Sequence, residues 1–361
     1  MASGLRRHMD SIRPNFEKGG KYSRLGSAYE AFDTFLSVPD TRTSGGAHIR
    51  DCADLKRLMI VVVVALLPCF VASCIHYGFL RILPLYLVSY IVGLAIEFAF
   101  AQKRGRQVSE GYLVTGMIIP MIVPVTTPLW MLALAVAFAV IIGKEAFGGT
   151  GMNIWNPALL ARAFLYFSFP SHMSGDVWEI AGHDALSGPT PLAQLAGGPQ
   201  ALSYSLSDLF WGNIPGATGE TCTFAILLGA LILLLSGAAS LRVMFSCVLG
   251  ALAVSAAASL AAPSADSLAA IPPYMHLLTG GFAFGAVFMA TDPVTGAQTG
   301  AGKWIYGFLI GALTVLIRLY SPAHPEGVMM AILIMNTFAP LIDHCVVAVN
   351  INKRLSRSRT V

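Results

Sequence analysis

Charge is what this sequence has least of. Lys, Arg, Asp and Glu make up 12% of its 361 residues, about half the roughly 25% of an ordinary soluble domain, while 55% are hydrophobic and the mean hydropathy is +0.68. Such a composition argues against a water-soluble globule. The net charge of +4 is too small and too unevenly placed for a nucleic-acid footprint, and no nucleic-acid motif occurs. The six cysteines (Cys52, Cys69, Cys74, Cys222, Cys247 and Cys345) include no C-x-x-C pair, so neither a zinc site nor an iron–sulfur cluster held by this chain alone is expected. A strand-linked G-x-G-x-x-G is missing too, which removes any soluble dinucleotide domain. The first apolar run follows a polar segment to about Lys56 and Arg57, so no cleavable signal peptide is expected.

What the chain has in abundance is apolar length. A helix needs about 20 mostly apolar residues to cross the hydrocarbon layer, and ten such runs can be placed: 58–77, 82–101, 111–127, 129–147, 157–170, 223–240, 243–262, 275–291, 304–320 and 327–348. The fifth is short and carries Arg162. The fold class is therefore all-α, a polytopic integral membrane protein of about ten transmembrane helices. An even number of crossings puts both termini on one side, and Lys and Arg near span ends are retained in the cytoplasm. Ten basic residues precede residue 58 and four follow residue 352. Alternation from an inside N-terminus adds Lys103, Arg104, Arg106, Lys144, Arg242 and Lys303 to the same side. Both termini are expected to be cytoplasmic.

The same alternation sends 171–222 outside, and that loop has no Lys or Arg at all. It holds Asp176, Glu179, Asp184, Asp208 and Glu220, with turn signals at Ser187-Gly188-Pro189 and Asn213-Ile214-Pro215-Gly216, which implies an ordered loop with something mounted on it. The chain divides into a cytoplasmic N-terminal segment (1–57), a first transmembrane half (58–170), the external loop (171–222), a second half (223–348) and a basic cytoplasmic tail (349–361). Five spans per half, an odd number, would make the halves inverted repeats. Each half has a glycine-rich break, Gly148-Gly149-Thr150-Gly151 in the first and Gly280-Gly281 with Gly285 in the second. Close helix packing and ligand binding are both open readings of these glycines.

Within Lys144-Glu145-Ala146-Phe147-Gly148-Gly149-Thr150-Gly151-Met152-Asn153-Ile154-Trp155-Asn156-Pro157, the pair Asn156-Pro157 reads as a helix N-cap and first helical position. Free backbone N–H groups ahead of it suit an anion or a polar heterocycle edge; a tight turn is the alternative. Carboxylates at the edges of apolar runs are the other candidates, because a charge at the bilayer centre costs at least about 2.5 kcal/mol and so faces a cavity, an ion or a partner. Glu97, Asp292 and Asp343 qualify, with ion handling and a plain interfacial role both open.

Several long motifs in order carry a resemblance over essentially the whole chain: Phe16-Glu17-Lys18-Gly19-Gly20-Lys21, His48-Ile49-Arg50-Asp51, Asp54-Leu55-Lys56-Arg57, the Phe147-to-Pro157 stretch, Gly212-Asn213-Ile214-Pro215-Gly216, Gly280-Gly281-Phe282-Ala283-Phe284-Gly285, Ala290-Thr291-Asp292-Pro293 and Ser321-Pro322-Ala323-His324-Pro325-Glu326-Gly327. The chain resembles the NqrB subunits of the sodium-translocating NADH:quinone oxidoreductases, relatives of the RnfD subunits of the Rnf ferredoxin:NAD oxidoreductases. The N-terminal Gly-Gly-Lys is typical of the sodium-pump subunit and argues against the Rnf relative.

The resemblance implies a covalent FMN, joined through its phosphate to a threonine hydroxyl in an Asp-x-x-Ser-Gly-Ala-Thr motif on the outer side. Asp184-Ala185-Leu186-Ser187-Gly188-Pro189-Thr190 fits the spacing, with Pro189 in place of Ala, and makes Thr190 the acceptor and Asp184, Ser187 and Gly188 its motif. Thr218, in Pro215-Gly216-Ala217-Thr218, is the alternative acceptor. A hydroxyl esterified by a flavin transferase must be reachable in an exposed loop, and a phosphodiester there is expected to lean on backbone N–H groups, since the loop has no basic side chain. The resemblance further implies a non-covalent riboflavin near Asn153 and Asn156, quinone binding near Gly93 and Leu94 (the latter a glycine in the family), and sodium or coupling roles for Glu30, Glu97, Glu220, Asp292 and Asp343.

The expected function follows: a subunit of an NADH:ubiquinone reductase in the bacterial inner membrane, relaying electrons from NADH through FMN and riboflavin to ubiquinone while sodium ions are exported, and inactive alone. Its partners would be the other subunits of a six-subunit complex, a flavin transferase during maturation, and the lipid bilayer; no nucleic acid and no bound metal site are expected. Two other classes remain open: an Rnf-type subunit, and a flavin-free channel or secondary transporter.

Overall fold

The computed structural model describes residues 55–105, 111–175, 177–179, 187–264, 267–321 and 327–359, with 11–16, 19, 20, 22, 26, 29 and 33 ahead of them. Among these residues the protein is helical throughout, and its only β pairing is an isolated bridge between Glu179 and Ser187. The first half contains α1 (Leu55–Tyr77), α2 (Phe79–Arg104), α3 (Gly111–Met121), α4 (Leu129–Gly143) and α5 (Pro157–Ser168). Two short helices, α6 (Pro191–Leu195) and α7 (Leu206–Trp211), lie between the halves. The second half contains α8 (Thr223–Ser236), α9 (Leu241–Leu260), α10 (Pro273–Leu278), α11 (Phe282–Phe284) running into a π-helical turn (Gly285–Met289), α12 (Gly300–Tyr320) and α13 (Val328–Arg359).

Among the described residues six helices are long and apolar enough to cross a membrane. The other four expected crossings are shorter or broken. Helix α3 ends at Met121, although the apolar run continues through Ile122 and Val123 and both are fully buried. The eighth run is interrupted at Thr279-Gly280-Gly281, where both glycines take the left-handed conformation, with φ of 61° and 58°. The first-half glycine break lies elsewhere: Gly148, Gly149 and Gly151, all at positive φ, link α4 to α5 at a helix end. The breaks therefore do not occupy matching places. One is a connection, the other an interruption.

Helix pairing repeats between the halves. Helix α2 packs on α3 and α4, and α4 on α5; correspondingly α9 packs on α10 and α12, and α12 on α13. The first helices of the halves, α1 and α8, pack on each other, and the last, α5 and α13, also meet. Large apolar side chains point outward along the bundle, among them Ile75, Leu80, Ile91, Leu235 and Leu260. A surface of this kind requires an apolar medium, so the protein is a multi-pass membrane protein.

Between apolar helices in lipid, association rests on close packing instead of water expulsion. The α9–α12 crossing illustrates this. A side chain at Gly311 would collide with the Cys247 carbonyl, one at Gly250 with the Phe308 carbonyl, and one at Gly307 with the Ser246 hydroxyl. Gly311→Val is expected to lower stability by about 1–3 kcal/mol, the usual cost of overpacking. Thermal unfolding in detergent checks it, with Leu260→Ala, at a side chain 90% exposed, expected to leave the transition in place.

Candidate functional site

Two clefts open at opposite ends of the bundle. The first lies where α1, α3, the α4–α5 connection and the segment after Met289 converge; Lys144, Thr150, Asn153, Asn156, Thr291 and Asp292 supply its polar wall. The second lies between α5, the start of α13 and the inter-half loop, with Arg162, Tyr166, Trp178, Thr190 and Met330 on its wall. Both are mainly apolar with a few convergent polar groups, the lining typical of small-molecule sites.

The first cavity is built by the glycine-rich connection. Asn156 caps α5, its Oδ1 accepting from the Ala158 N–H at 3.0 Å, with Pro157 at the first helical position, as the sequence indicates. Its oxygen thus committed, the Asn156 amide N–H₂ is the group left for a ligand. Asn153 donates from Nδ2 to the Trp155 carbonyl at 3.1 Å, leaving its oxygen as the complementary acceptor. The connection is clamped from the second half: Trp155 Nε1 donates to Thr337 Oγ1 at 3.0 Å, and the Asn336 side-chain oxygen accepts from the Asn156 N–H at 3.2 Å while its amide donates to Tyr306 Oη at 2.6 Å. Asn336 is only 1% exposed. A lone amide in an otherwise apolar stretch of α13 was the available signal for it.

Glu97 and Lys144 form a buried ion pair behind this cavity, their side chains 4% and 3% exposed. Lys144 is on the wall and Glu97 is not. The Lys144 ammonium also lies 5.8 Å from the centre of the Tyr112 ring. Arg104 closes the same end by donating to Glu145, 2.7 Å to the carboxylate and 2.6 Å to the carbonyl. Gly93 lies against the Tyr112 ring, which occupies the space of any side chain there, and Leu94 packs on the core; neither lines the cavity.

The second cavity carries Thr190 at the start of α6. Its Oγ1 accepts from the Ala193 N–H at 3.2 Å, and the residue is part-exposed. Ser187 pairs with Glu179 in the isolated bridge, and the Gly188 N–H donates to the Trp178 carbonyl at 3.0 Å, so the segment before Thr190 is held as a narrow loop against Trp178. Asp184 and Glu30 lie outside the described residues. Thr218 is in a different situation: 1% exposed, its hydroxyl donates to the Pro120 carbonyl at 2.7 Å and its own carbonyl accepts from Ser73 at 2.5 Å. No transferase could reach it without unpacking the bundle. Farther along the loop the Ser205 hydroxyl and N–H both bond the Asp208 carboxylate, holding it below the usual carboxylate range and capping α7.

The expectation that only backbone groups would serve an anion near Thr190 is corrected by Arg162. This side chain comes from α5, outside the loop, and lies on the wall of the same cavity. It donates to the Ile122 carbonyl and pairs with Glu220 at 3.1 Å, the two side chains 5% and 6% exposed. The remaining acids are dispersed. Asp292 accepts from the Val294 N–H and the Thr295 hydroxyl, both at 3.0 Å, and Asp343 accepts from the N–H groups of Gln298 and Thr299 and from the Thr299 hydroxyl. Among the described residues no three acids, histidines or cysteines gather as a metal site would require.

Relatives share this arrangement's sequence almost end to end. The NQR2, RnfD, RnfE family matches residues 42–352. The chain belongs to that family. It is 42% identical, over 98% of its own length and 97% of the relative's, to the B subunit of the Na(+)-translocating NADH-quinone reductase of Chromohalobacter salexigens. The corresponding B subunits of Pseudomonas paraeruginosa and Pseudoalteromonas atlantica are 41% and 40% identical, over 98% of this chain and 100% and 99% of theirs.

Breaking a buried ion pair by neutralising one partner strands the other charge, at about 3–5 kcal/mol. Glu97→Gln is expected to destabilise the protein by that order, and the double variant Glu97→Gln with Lys144→Met to recover most of the loss. Paired thermal melts of the single and double variants measure it; an unrecovered double variant would show that Lys144 is not what Glu97 serves.

Proposed function

We propose that this chain is the membrane subunit of a redox-driven sodium pump, relaying electrons that enter from NADH through other subunits to ubiquinone and coupling that flow to sodium export. Membership of the family, with full-length relatives named for this activity, supports the reading over a channel or carrier. Those relatives also favour the sodium pump over the Rnf-type complex. The single structural observation that carries it is the pair of mainly apolar clefts with convergent polar groups at opposite ends of one bundle, one with a part-exposed threonine on its wall.

In this reading Thr190 carries FMN through a phosphoester, and Asn153 and Asn156 hold riboflavin in the cavity at the other end. A flavin supplies a ring that takes up and gives off electrons one or two at a time. The chain's own residues do the rest. Asn156 presents a donor and Asn153 an acceptor, suited to the mixed polar edge of such a ring. Trp178 and Tyr166 offer aromatic surface beside Thr190, and Arg162 a fixed positive charge. The cap at Thr190 holds its oxygen toward solvent at the edge of the cavity, where a flavin transferase can act. Buried Glu97 and Glu220, each paired with a cation, are the acids best placed to respond to charge arriving in the cavities.

Positive charge on the tails and inner loops supports an inner-membrane placement with both termini in the cytoplasm, the cavity of Thr190 outside, and assembly with the other members of a six-subunit complex. NADH oxidation belongs to those partners.

Expressed with a flavin transferase, the wild-type chain is expected to fluoresce under ultraviolet light in a denaturing gel, with FMN mass added to the peptide containing Thr190. Thr190→Val abolishes both signals, and Thr218→Val retains flavin on whatever protein folds. A fluorescent band persisting in Thr190→Val would move the attachment elsewhere, and a colourless wild-type protein would refute the flavin reading.

A further inference from the structure

Arg162 belongs to two environments at once. It lies on the wall of the cavity beside Thr190, and its guanidinium is 3.1 Å from Glu220 Oε1. Glu220 is not on that wall. It sits behind it, 6% exposed on its side chain, lodged against the break in the eighth segment: a Cβ at Gly281 would come within 2.7 Å of its Oε2. Gly281, at φ 58°, is thus required both for the turn and for the space the carboxylate occupies. The Trp178 ring, centred 5.9 Å from the guanidinium carbon, covers the cation from another side. One buried positive charge therefore stands between a cavity and a buried negative charge.

We propose that Arg162 and Glu220 act as positioning residues that set, in opposite directions, the reduction potential of the flavin carried by Thr190. The inference rests on the reading of Thr190 given above. Each electron delivered from NADH through the partner subunits adds one negative charge to the cavity, and no bond in this chain is made or broken. A guanidinium on the wall favours the charged, reduced state; Arg does not deprotonate, so that influence is constant. Glu220 offsets part of it, because it shares the same cation from behind. Both charges lie away from bulk water, where their effect over a few ångströms is several times what it would be in solvent.

The test uses the assembled, flavinylated complex in an equilibrium redox titration followed by flavin absorbance, the Thr190-bound component being identified by its loss in Thr190→Val. Arg162→Gln is expected to shift that component to lower potential, Arg162→Lys to restore most of it, and Glu220→Gln to shift it to higher potential, with the fluorescent band of the denatured subunit retained throughout. Opposite signs are what general loosening of the cavity would not produce. Shifts of the same sign in Arg162→Gln and Glu220→Gln, or an unchanged potential in Glu220→Gln, overturn the proposal while leaving Thr190 as the attachment point. If Arg162→Gln fails to assemble, Glu220→Gln decides alone. Absence of a covalent band in the wild type refutes the reading of Thr190 itself, and this inference with it.

Discussion

A helix that stops inside an apolar medium leaves carbonyl groups with no water to accept from, and in lipid each must find a partner within the protein. The bundle meets that requirement twice. At the end of α3 the carbonyls of Pro120, Met121 and Ile122 accept from the Thr218 hydroxyl, the Gly219 N–H and the Arg162 guanidinium. At the break after α10 the carbonyls of His276, Thr279 and Gly280 accept from Arg318. Each half thus devotes one buried arginine to an interrupted helix, at 4% and 5% exposure. The repeat in helix pairing is accompanied by a repeat in how broken ends are stabilised, even though the glycine-rich sequences that first suggest a repeat do not correspond.

This also explains why Thr218 and Thr190, with comparable local sequences, have such different surroundings. Thr218 is part of the scaffold, since its hydroxyl substitutes for a missing helical N–H at Pro120. Thr190 caps a five-residue helix at the edge of a cavity and supports nothing beyond it. A phosphoester on the first would strip a broken helix of its cap. On the second it would leave the bundle intact.

Much of this was legible from residue order. Apolar length located the helical segments of the bundle, and Asn156-Pro157 announced the start of α5, because cap chemistry is local and Pro at a first helical position has few other uses. The interruptions were less legible. Residues 111–127 read as one crossing because apolarity reports the medium around a side chain, whereas the end of α3 depends on Thr218 and Gly219, about a hundred positions downstream, being present to donate to its backbone carbonyls. Arg162 was visible as a charge inside a span, yet its place beside Thr190 was not, since the loop between the halves must fold back over α5 to bring them together. The clamp of Asn336 on Asn156 is hidden for the same reason: spacing along a chain says little about partners in the other half.

The two cavities share one electrostatic plan. On each wall stands a buried cation, Lys144 at one end and Arg162 at the other, and behind each is a buried glutamate that does not reach the cavity, Glu97 and Glu220. Arg318, at the break in the second half, donates to the carbonyls of His276, Thr279 and Gly280. A buried pair replaced whole by apolar residues is often as stable or more so, because desolvating the two charges can cost more than their attraction returns. On the proposed function, keeping both partners at each cavity lets the acid behind the wall feel charge that arrives in front of it. The same pairing of a wall cation with a glutamate behind it is present at both ends of the bundle.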